Sequence, residues 1–136
     1  MKLLPIIIHK ENLKNDANGR NYVGLVYIND TRPCYKAVLC QEIYEACIKL
    51  NPINFFRVLF SESYRLEMEL YSHEIETQAA VDLYDVDEDE YRWKEAYVIS
   101  KGYGFNIDTD QAYDRMLQYS HKAKWQARIY IRDYDL

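Results

Sequence analysis

The residues that could do chemistry are concentrated in one acidic segment. Six carboxylates fall within nine positions, with aromatic and aliphatic residues between them, in the order Asp82-Leu83-Tyr84-Asp85-Val86-Asp87-Glu88-Asp89-Glu90-Tyr91. Carboxylates at this density repel one another, and burying them without partners is costly. We therefore expect them to face water, a metal ion or a basic partner.

Tyrosine gives this segment a second property, because the chain holds 14 tyrosines and several lie beside the acids. Tyrosine combines a large apolar ring and a hydroxyl with few rotatable bonds, and it is enriched where proteins bind one another. Acids would orient such docking, and aromatic rings would fill pockets on the partner. The predicted partner-binding residues are Tyr84, Asp85, Asp87, Glu88, Asp89, Glu90, Tyr91 and Trp93.

These features predict a non-enzymatic binding protein that occludes a basic surface of a larger protein. Spaced carboxylates imitate a phosphate backbone, so a nucleic-acid enzyme would fit as the partner. The formal net charge of −5 over 136 residues is small for a whole-molecule mimic of DNA, which favours a local acidic patch. The many Tyr, Ile, Asn and Asp residues and the few Gly residues are typical of small phage or mobile-element proteins, which favours an inhibitor of a host or defence protein.

Two acidic segments and one histidine are the places in the sequence where residue types suited to a metal ion lie together. The segment that begins at Asp85 has the opening spacing of a calcium loop, but its sixth position is Glu90 instead of glycine and its twelfth is Ala96 instead of an acid. The segment that begins at Asn106 fails at the same two positions. His73 stands among acids without a second histidine at helical spacing, and we interpret it as a solvated residue at the start of a helix. We expect no metal and no other cofactor.

No catalytic motif accompanies these residues. The chain has no Gly-x-Ser-x-Gly elbow, no phosphate-binding glycine loop and no recognisable Cys/His signature. We therefore expect no enzyme. A small hydrolase whose catalytic residues are scattered along the chain remains an alternative, and its sign would be a deep pocket that holds a histidine or carboxylate with a shifted pKa.

The end of the chain offers an alternative functional surface. Residues 125–134 alternate between apolar and polar, so a strand would place basic and aromatic side chains together on one face. Cations that bind phosphates beside rings that stack on bases are typical of single-stranded nucleic-acid binding. A solvated strand face paired with Glu67 and Glu69 would show the same pattern. The alternative nucleic-acid-binding residues are Trp125, Arg128, Tyr130 and Arg132.

Hydrophobic periodicity predicts the elements that must position these residues. Strands are expected over 3–9, 22–29, 55–60, 64–71, 96–99 and 125–134, which alternate or are rich in β-branched and aromatic residues. Helices are expected over 41–50, 72–81 and 109–121, and residues 34–40 are either the first half of a helix or a separate strand. Asn18-Gly19 predicts a turn in the loop between the first two strands, which we expect to pair antiparallel.

These elements predict a single α+β domain over residues 1–136, with a mainly antiparallel sheet packed by two or three helices. Cysteines at positions 34, 40 and 47 form no Cys-x-x-Cys pair, which argues against a disulfide framework and favours the cytoplasm. The apolar stretch at the amino terminus is unlike a signal peptide, and no run approaches the ~20 apolar residues that cross a bilayer. A homodimer through exposed strand edges is compatible with every function considered.

Overall fold

The computed structural model describes residues 5–13 and 17–136. Within those residues a small sheet is followed by six helices. The strands are β1 (Ile6–His9), β2 (Gly19–Tyr22) and β3 (Leu25–Ile28), and the helices are α1 (Tyr35–Lys49), α2 (Pro52–Phe60), α3 (Glu62–Tyr84), α4 (Glu88–Gly102), α5 (Thr109–Gln118) and α6 (Ser120–Asp133). The expected fold, a mainly antiparallel sheet packed by two or three helices, is wrong, because 67% of the described residues are helical and the sheet is small.

The sheet in the described part of the chain has the strand order β1-β3-β2 and is mixed. β1 runs parallel to β3, so the expected antiparallel pairing of the first two strands is wrong, and β2 runs antiparallel to β3. The strand expected over 3–9 is confirmed from residue 6, while residues 3 and 4 lie outside the described residues. The hairpin turn holds Gly24 at a φ of 76°, whereas Gly19, predicted in a turn, begins β2.

Helix α3 is the central element, and it occupies the segment where a strand over 64–71 and a short helix over 72–81 were expected. It contacts α1, α2, α4, α5 and α6, and every residue from Met68 to Ala80 is buried. A helix that is covered on all sides has no exposed stripe, so the helical period disappears from its sequence. The alternation over 64–71 predicts a strand with Glu69 on its solvent face. In the structure Glu69 is only 8% exposed, so that prediction is wrong.

Capping explains why α2 forms a helix where a strand over 55–60 was expected. The Asn51 side chain accepts hydrogen bonds from two backbone N–H groups in the first turn of α2. Pro52 fits the first helical position because its missing N–H would have no partner there. The preceding helix, expected over 41–50, is confirmed as α1, and its bounds show that residues 35–40 belong to it.

Helices α4 and α6 replace the strands expected over 96–99 and 125–134. In α6 the buried residues Ala123, Ala127 and Tyr130 recur at helical spacing, but alanine carries so little hydrophobic signal that the alternation of the larger side chains dominates the sequence pattern. The helix expected over 109–121 is confirmed as α5 up to Gln118, and residues 120 and 121 belong to α6 instead. A capping box at Asp108 starts α5.

Two apolar clusters hold the helices together. The larger joins β3, α1, α3 and α6 and includes Ile28, Ile43 and Ile75, which are fully buried. The smaller joins α3 to α4 and α5 and includes Leu70 and Ile99. Between α1, α3 and α4 the buried side chains are polar instead. Among the described helices, none is both long and apolar enough to cross a membrane.

Candidate metal centre

Buried carboxylates surround one buried histidine where α1, α3 and α4 meet. The members of this His73 cluster are Glu42 and Glu45 of α1, Glu69, His73 and Glu76 of α3, and Glu95 of α4, and each is 8% exposed or less. The spacing i, i+4 and i+7 places the three residues of α3 on one face of that helix. The expectation that His73 is a solvated residue at a helix start is wrong, because it lies in the middle of α3 and is 3% exposed.

Both nitrogens of the His73 ring have polar neighbours. Nδ1 lies 3.0 Å from Oε1 of Glu95. Nε2 lies 3.0 Å from the hydroxyl of Tyr103, 3.1 Å from the side-chain amide nitrogen of Gln41 and 3.4 Å from Oε2 of Glu69. The Glu95 contact holds the ring in this orientation.

Three potential ligand atoms converge in the cluster. One atom each from His73, Glu76 and Glu95 lies within 4.8 Å of the other two. Tetrahedral coordination with bonds of ~2.1 Å separates ligand atoms by ~3.4 Å, so small side-chain rotations would complete the set. One nitrogen and two carboxylate oxygens suit Zn²⁺ or Mn²⁺, and three protein ligands leave a position open for water or substrate.

Four carboxylates of the cluster have shifted pKa values. Burial raises the pKa of Glu42 to about 7. Burial and neighbouring carboxylates raise the pKa of Glu45 and of Glu76 well above the usual value. Burial works in the same direction on Glu95, but its hydrogen bond and charge attraction to His73 lower its pKa overall. The cluster therefore holds protons at neutral pH, and a cation that binds there would displace them.

Glu69 has a buried carboxylate oxygen that no hydrogen-bond donor in the described residues reaches. This atom, Oε2, lies 3.4 Å from Nε2 of His73. Leaving a buried polar atom unpaired costs on the order of 1–3 kcal/mol, and more when the group is charged. The charge of the protonated His73 ring, at ion-pair distance, offsets part of that cost.

A cavity of about 310 Å³ adjoins the cluster. Its walls include Gly19, Gln41, Glu42, His73, Glu76, Glu95 and Tyr103. A Cβ on Gly19 would stand 2.9 Å from Cγ of Glu42, so glycine allows the start of β2 to approach α1 closely here. Since a water molecule takes ~30 Å³, the cavity has room for several waters or for one small polar group.

Hydrogen bonds from outside the cluster hold the carboxylates of α1. Asn21 of β2 donates through Nδ2 to Oε2 of Glu42 and, at 2.9 Å, to Oε2 of Glu45. Ser72 donates to Oε1 of Glu45 at 3.3 Å. Contacts of this kind fix the orientation of metal ligands and of groups beside them.

The acidic segment forms the turn from α3 to α4. Asp85 is the C-cap of α3 and has a φ of 53°. Asp87 is the N-cap of α4, and its side chain accepts a hydrogen bond from the backbone N–H of Glu90. Acids in the first turn are favourable because the amino-terminal end of a helix dipole is positive. Much of this acidity therefore has a structural explanation.

Two more residues of the acidic segment, Glu88 and Asp89, form ion pairs with Arg92. Its side chain is fully buried and donates to both carboxylate oxygens of Glu74, at 2.9 and 2.7 Å. Glu88 lies 2.7 Å and Asp89 3.3 Å from the same guanidinium group. A buried charge needs partners. Glu88 and Asp89 thus serve Arg92 and are less available to another protein.

The predicted docking residues divide into buried and exposed groups. Tyr91 is 8% exposed, and its hydroxyl donates to Oε2 of Glu76 at 2.6 Å. Tyr84 is half-buried, and its hydroxyl accepts a hydrogen bond from the backbone N–H of Lys36 at 3.2 Å. The predicted docking residues that stay exposed and outside the Arg92 group are Asp85, Asp87, Glu90 and Trp93.

The strand expected over 125–134 is wrong, because these residues lie on α6 and its C-terminal cap, while nucleic-acid binding by Trp125, Arg128, Tyr130 and Arg132 stays a prediction. Tyr130 is 9% exposed and belongs to the core, while Trp125 is 57% exposed. The guanidinium of Arg128 lies 5.9 Å from the Trp125 ring and 3.9 Å from Asp82. Arg132 pairs with the next residue of the chain. The helix turns Tyr130 into the core, whereas the i, i+3 and i+7 spacing keeps Trp125, Arg128 and Arg132 on one exposed face of α6.

The His73 cluster has a weak signature in the sequence. Gln41-Glu42-x-x-Glu45 has the spacing of a His-Glu-x-x-His zinc helix, with Gln and Glu where the two histidines would stand. Glu69, His73 and Glu76 have helical spacing, but Glu69 falls in the strand predicted over 64–71 and the other two fall in the helix predicted over 72–81. Glu95 carries no signal of its own, since α4 was not predicted.

Comparison with known proteins adds no assignment. No protein-family model matches the chain, and no curated protein or solved structure is significantly similar to it. The geometry of the His73 cluster is therefore the basis for a functional proposal.

Proposed function

We propose that this protein binds one divalent cation at His73, Glu76 and Glu95 and hydrolyses a substrate in the adjoining cavity. The observation that carries the proposal is the approach of three buried ligand atoms to within 4.8 Å of one another in the wall of a partly open polar cavity. A hydrolase with scattered catalytic residues is an alternative that the sequence leaves open. The expected sign of such an enzyme is a pocket that holds a histidine or carboxylate with a shifted pKa, and the cavity beside His73 has both.

The charge balance of the cluster supports a cation. Burial tends to lower the pKa of His73, but contacts with Tyr103, Glu69 and Glu95 raise it overall, so the imidazole supplies one positive charge. Five carboxylates surround that single charge. Ionised carboxylates are not stable in a dry core without cations, and they must otherwise keep their protons. A divalent cation bound to His73 would replace the ring proton and supply two positive charges where the protonated ring supplies one.

The ligand set and the cavity together support hydrolysis. A divalent cation in such a site polarises the substrate and lowers the pKa of bound water. Glu42 lines the same cavity, and its pKa of about 7 suits a general base that accepts a proton from water at neutral pH. The hydroxyl of Tyr103, also in the cavity wall, is placed to donate a hydrogen bond to an oxygen on which negative charge develops.

Metal binding is tested by calorimetric titration of chelator-treated protein with Zn²⁺, Mn²⁺, Mg²⁺ and Ca²⁺. We expect one Zn²⁺ or Mn²⁺ per chain, and a loss of affinity of at least ~10-fold in His73→Gln and in Glu95→Gln, because each removes a ligand. His121→Gln is the matched control, since His121 is exposed on α6. Circular dichroism checks that each variant is folded.

Two outcomes would contradict the metal centre. One is unchanged affinity in both ligand variants, and the other is an equal loss in His121→Gln. Hydrolysis is assayed with phosphate esters, carboxylic esters and short peptides, with metal added and with chelator. If the metal-loaded protein turns over none of these classes, hydrolysis is rejected and a cation-binding role alone is retained.

A further inference from the structure

A groove on the surface lies beside the start of α4, apart from the cavity of the His73 cluster. Its volume is about 620 Å³. The walls of this α4 groove are formed mainly by Cys34, Val86, Asp87, Glu90, Trp93 and Tyr97. None of these residues lines the cavity of the His73 cluster. The groove therefore provides a second, independent place for a ligand.

The charge of the groove is set by two carboxylates. Asp87 and Glu90 are exposed at its edge, and neither forms an ion pair within the described residues. Exposed Asp85 lies two residues before Asp87. Of the described residues, Lys94 is the single cation in the groove wall. The local excess of negative charge favours a cationic ligand.

Aromatic rings form the floor beside these acids. Trp93 is 47% and Tyr97 55% exposed, and their i, i+4 spacing places them on the same face of α4. The ammonium of Lys94 lies 4.4 Å from the centre of the Tyr91 ring. The groove thus already holds one cation against an aromatic face within the chain.

We infer that the α4 groove binds an arginine-bearing segment of a partner protein, a function that goes beyond the metal centre. A guanidinium group is planar, so it stacks on an indole or phenol ring while it donates paired hydrogen bonds to a carboxylate. Trp93 and Tyr97 supply the rings, and Asp87 and Glu90 supply the carboxylates. By binding an arginine of a larger protein, the groove would occlude part of that protein's basic surface.

Trp93 provides the readout for a test. In a Trp125→Phe background, Trp93 is the single tryptophan, because the chain has two. Its fluorescence is followed as a peptide of alternating glycine and arginine is added, and then with the same peptide made with lysine or with glutamate. We expect a saturable change with arginine, affinity at least ~5-fold weaker with lysine because stacking is lost, and none with glutamate.

Two charge-matched double variants decide whether the groove is responsible. Asp87→Asn with Glu90→Gln removes both charges and keeps a side chain that caps α4, and it should weaken binding at least ~10-fold. Asp110→Asn with Asp114→Asn makes the same change in net charge on exposed positions of α5 and should leave binding within ~2-fold.

Several outcomes would overturn the inference. If the two double variants weaken peptide binding equally, the effect comes from net charge and not from the groove. If the lysine peptide binds as tightly as the arginine peptide, the groove does not select arginine. Fluorescence without a saturable change would mean that no such segment binds. Concentration-dependent self-association, abolished by Tyr97→Ala in sedimentation experiments, would assign the groove to a second copy of the chain instead.

Discussion

Glu42 and Glu95 are two buried glutamates with opposite pKa shifts in the same cluster. Burial raises the pKa of Glu42 to about 7, whereas contact with His73 outweighs burial and lowers the pKa of Glu95. Groups of one chemical type take different roles when their surroundings separate their pKa values. Glu95 is therefore ready to bind a cation as an anion, and Glu42 is ready to exchange a proton near neutral pH.

Replacement of Glu42 by Gln tests its role at the residue scale. The amide keeps the size of the side chain but cannot accept a proton from water, so we expect kcat for hydrolysis to fall at least ~100-fold. Metal affinity, measured by calorimetry, should stay within ~3-fold because Glu42 is not one of the three proposed ligands. In the parent protein the rate should rise with pH through about 7, as Glu42 ionises.

The matched control for this substitution is Glu62→Gln, at an exposed position in the first turn of α3. It should leave both the rate and its pH dependence unchanged. A Glu42→Gln variant that keeps the parent's rate and pH profile would exclude Glu42 as the base.

Helix α3 and helix α4 are joined by a buried ion pair as well as by apolar contacts. Arg92 and Glu74 are both fully buried, and the guanidinium meets the carboxylate through two hydrogen bonds. Burial raises the pKa of Glu74, although hydrogen bonds from Arg92 and Gln78 act against it. The pair fixes the position of α4 against α3 and thereby the position of Glu95 relative to His73.

Substitution of Arg92 by Met tests this link between the two helices. The change leaves the Glu74 carboxylate buried without its cation, so we expect a loss of about 3–5 kcal/mol in the free energy of unfolding, measured with urea. The double variant Arg92→Met with Glu74→Leu should recover most of that loss, because no unpaired charge remains. A single variant as stable as the parent would contradict the structural role of the pair.

Across the whole molecule, the His73 cluster makes the stability of the metal-free protein depend on pH. Glu42, Glu45 and Glu76 have raised pKa values, so the fold favours their protonated forms. Their contribution to stability is complete below the usual glutamate pKa of 4.5 and is lost as the pH rises through the raised values. The raised pKa of His73 acts in the same direction, because its charged form is favoured in the fold.

We therefore expect the metal-free protein to unfold at a lower temperature at pH ~8 than at pH ~5.5, measured by calorimetry in the presence of a chelator. Saturating Zn²⁺ or Mn²⁺ should reverse this trend, since a cation binds the deprotonated ligands and stabilises the fold more at higher pH. A melting temperature that rises with pH in the chelated protein would contradict the proton-loaded cluster.

Short-range signals in the sequence were sufficient for some elements. The capping box at Asp108 starts α5, and the Asn51-Pro52 pair separates α1 from α2. The isoleucine-rich segment before residue 10 forms β1. These signals act between residues a few positions apart, and so they do not depend on how distant helices are arranged.

The central helix and the candidate site were not predictable in this way. Alternation predicts a strand over 64–71 only if Glu69 faces water, and whether it does depends on the helices that cover α3. The ligand atoms of His73, Glu76 and Glu95 come from two helices and meet only when those helices are packed together. Hydrophobic periodicity reports burial along one element, whereas the His73 cluster arises from polar faces of three helices that are buried against one another.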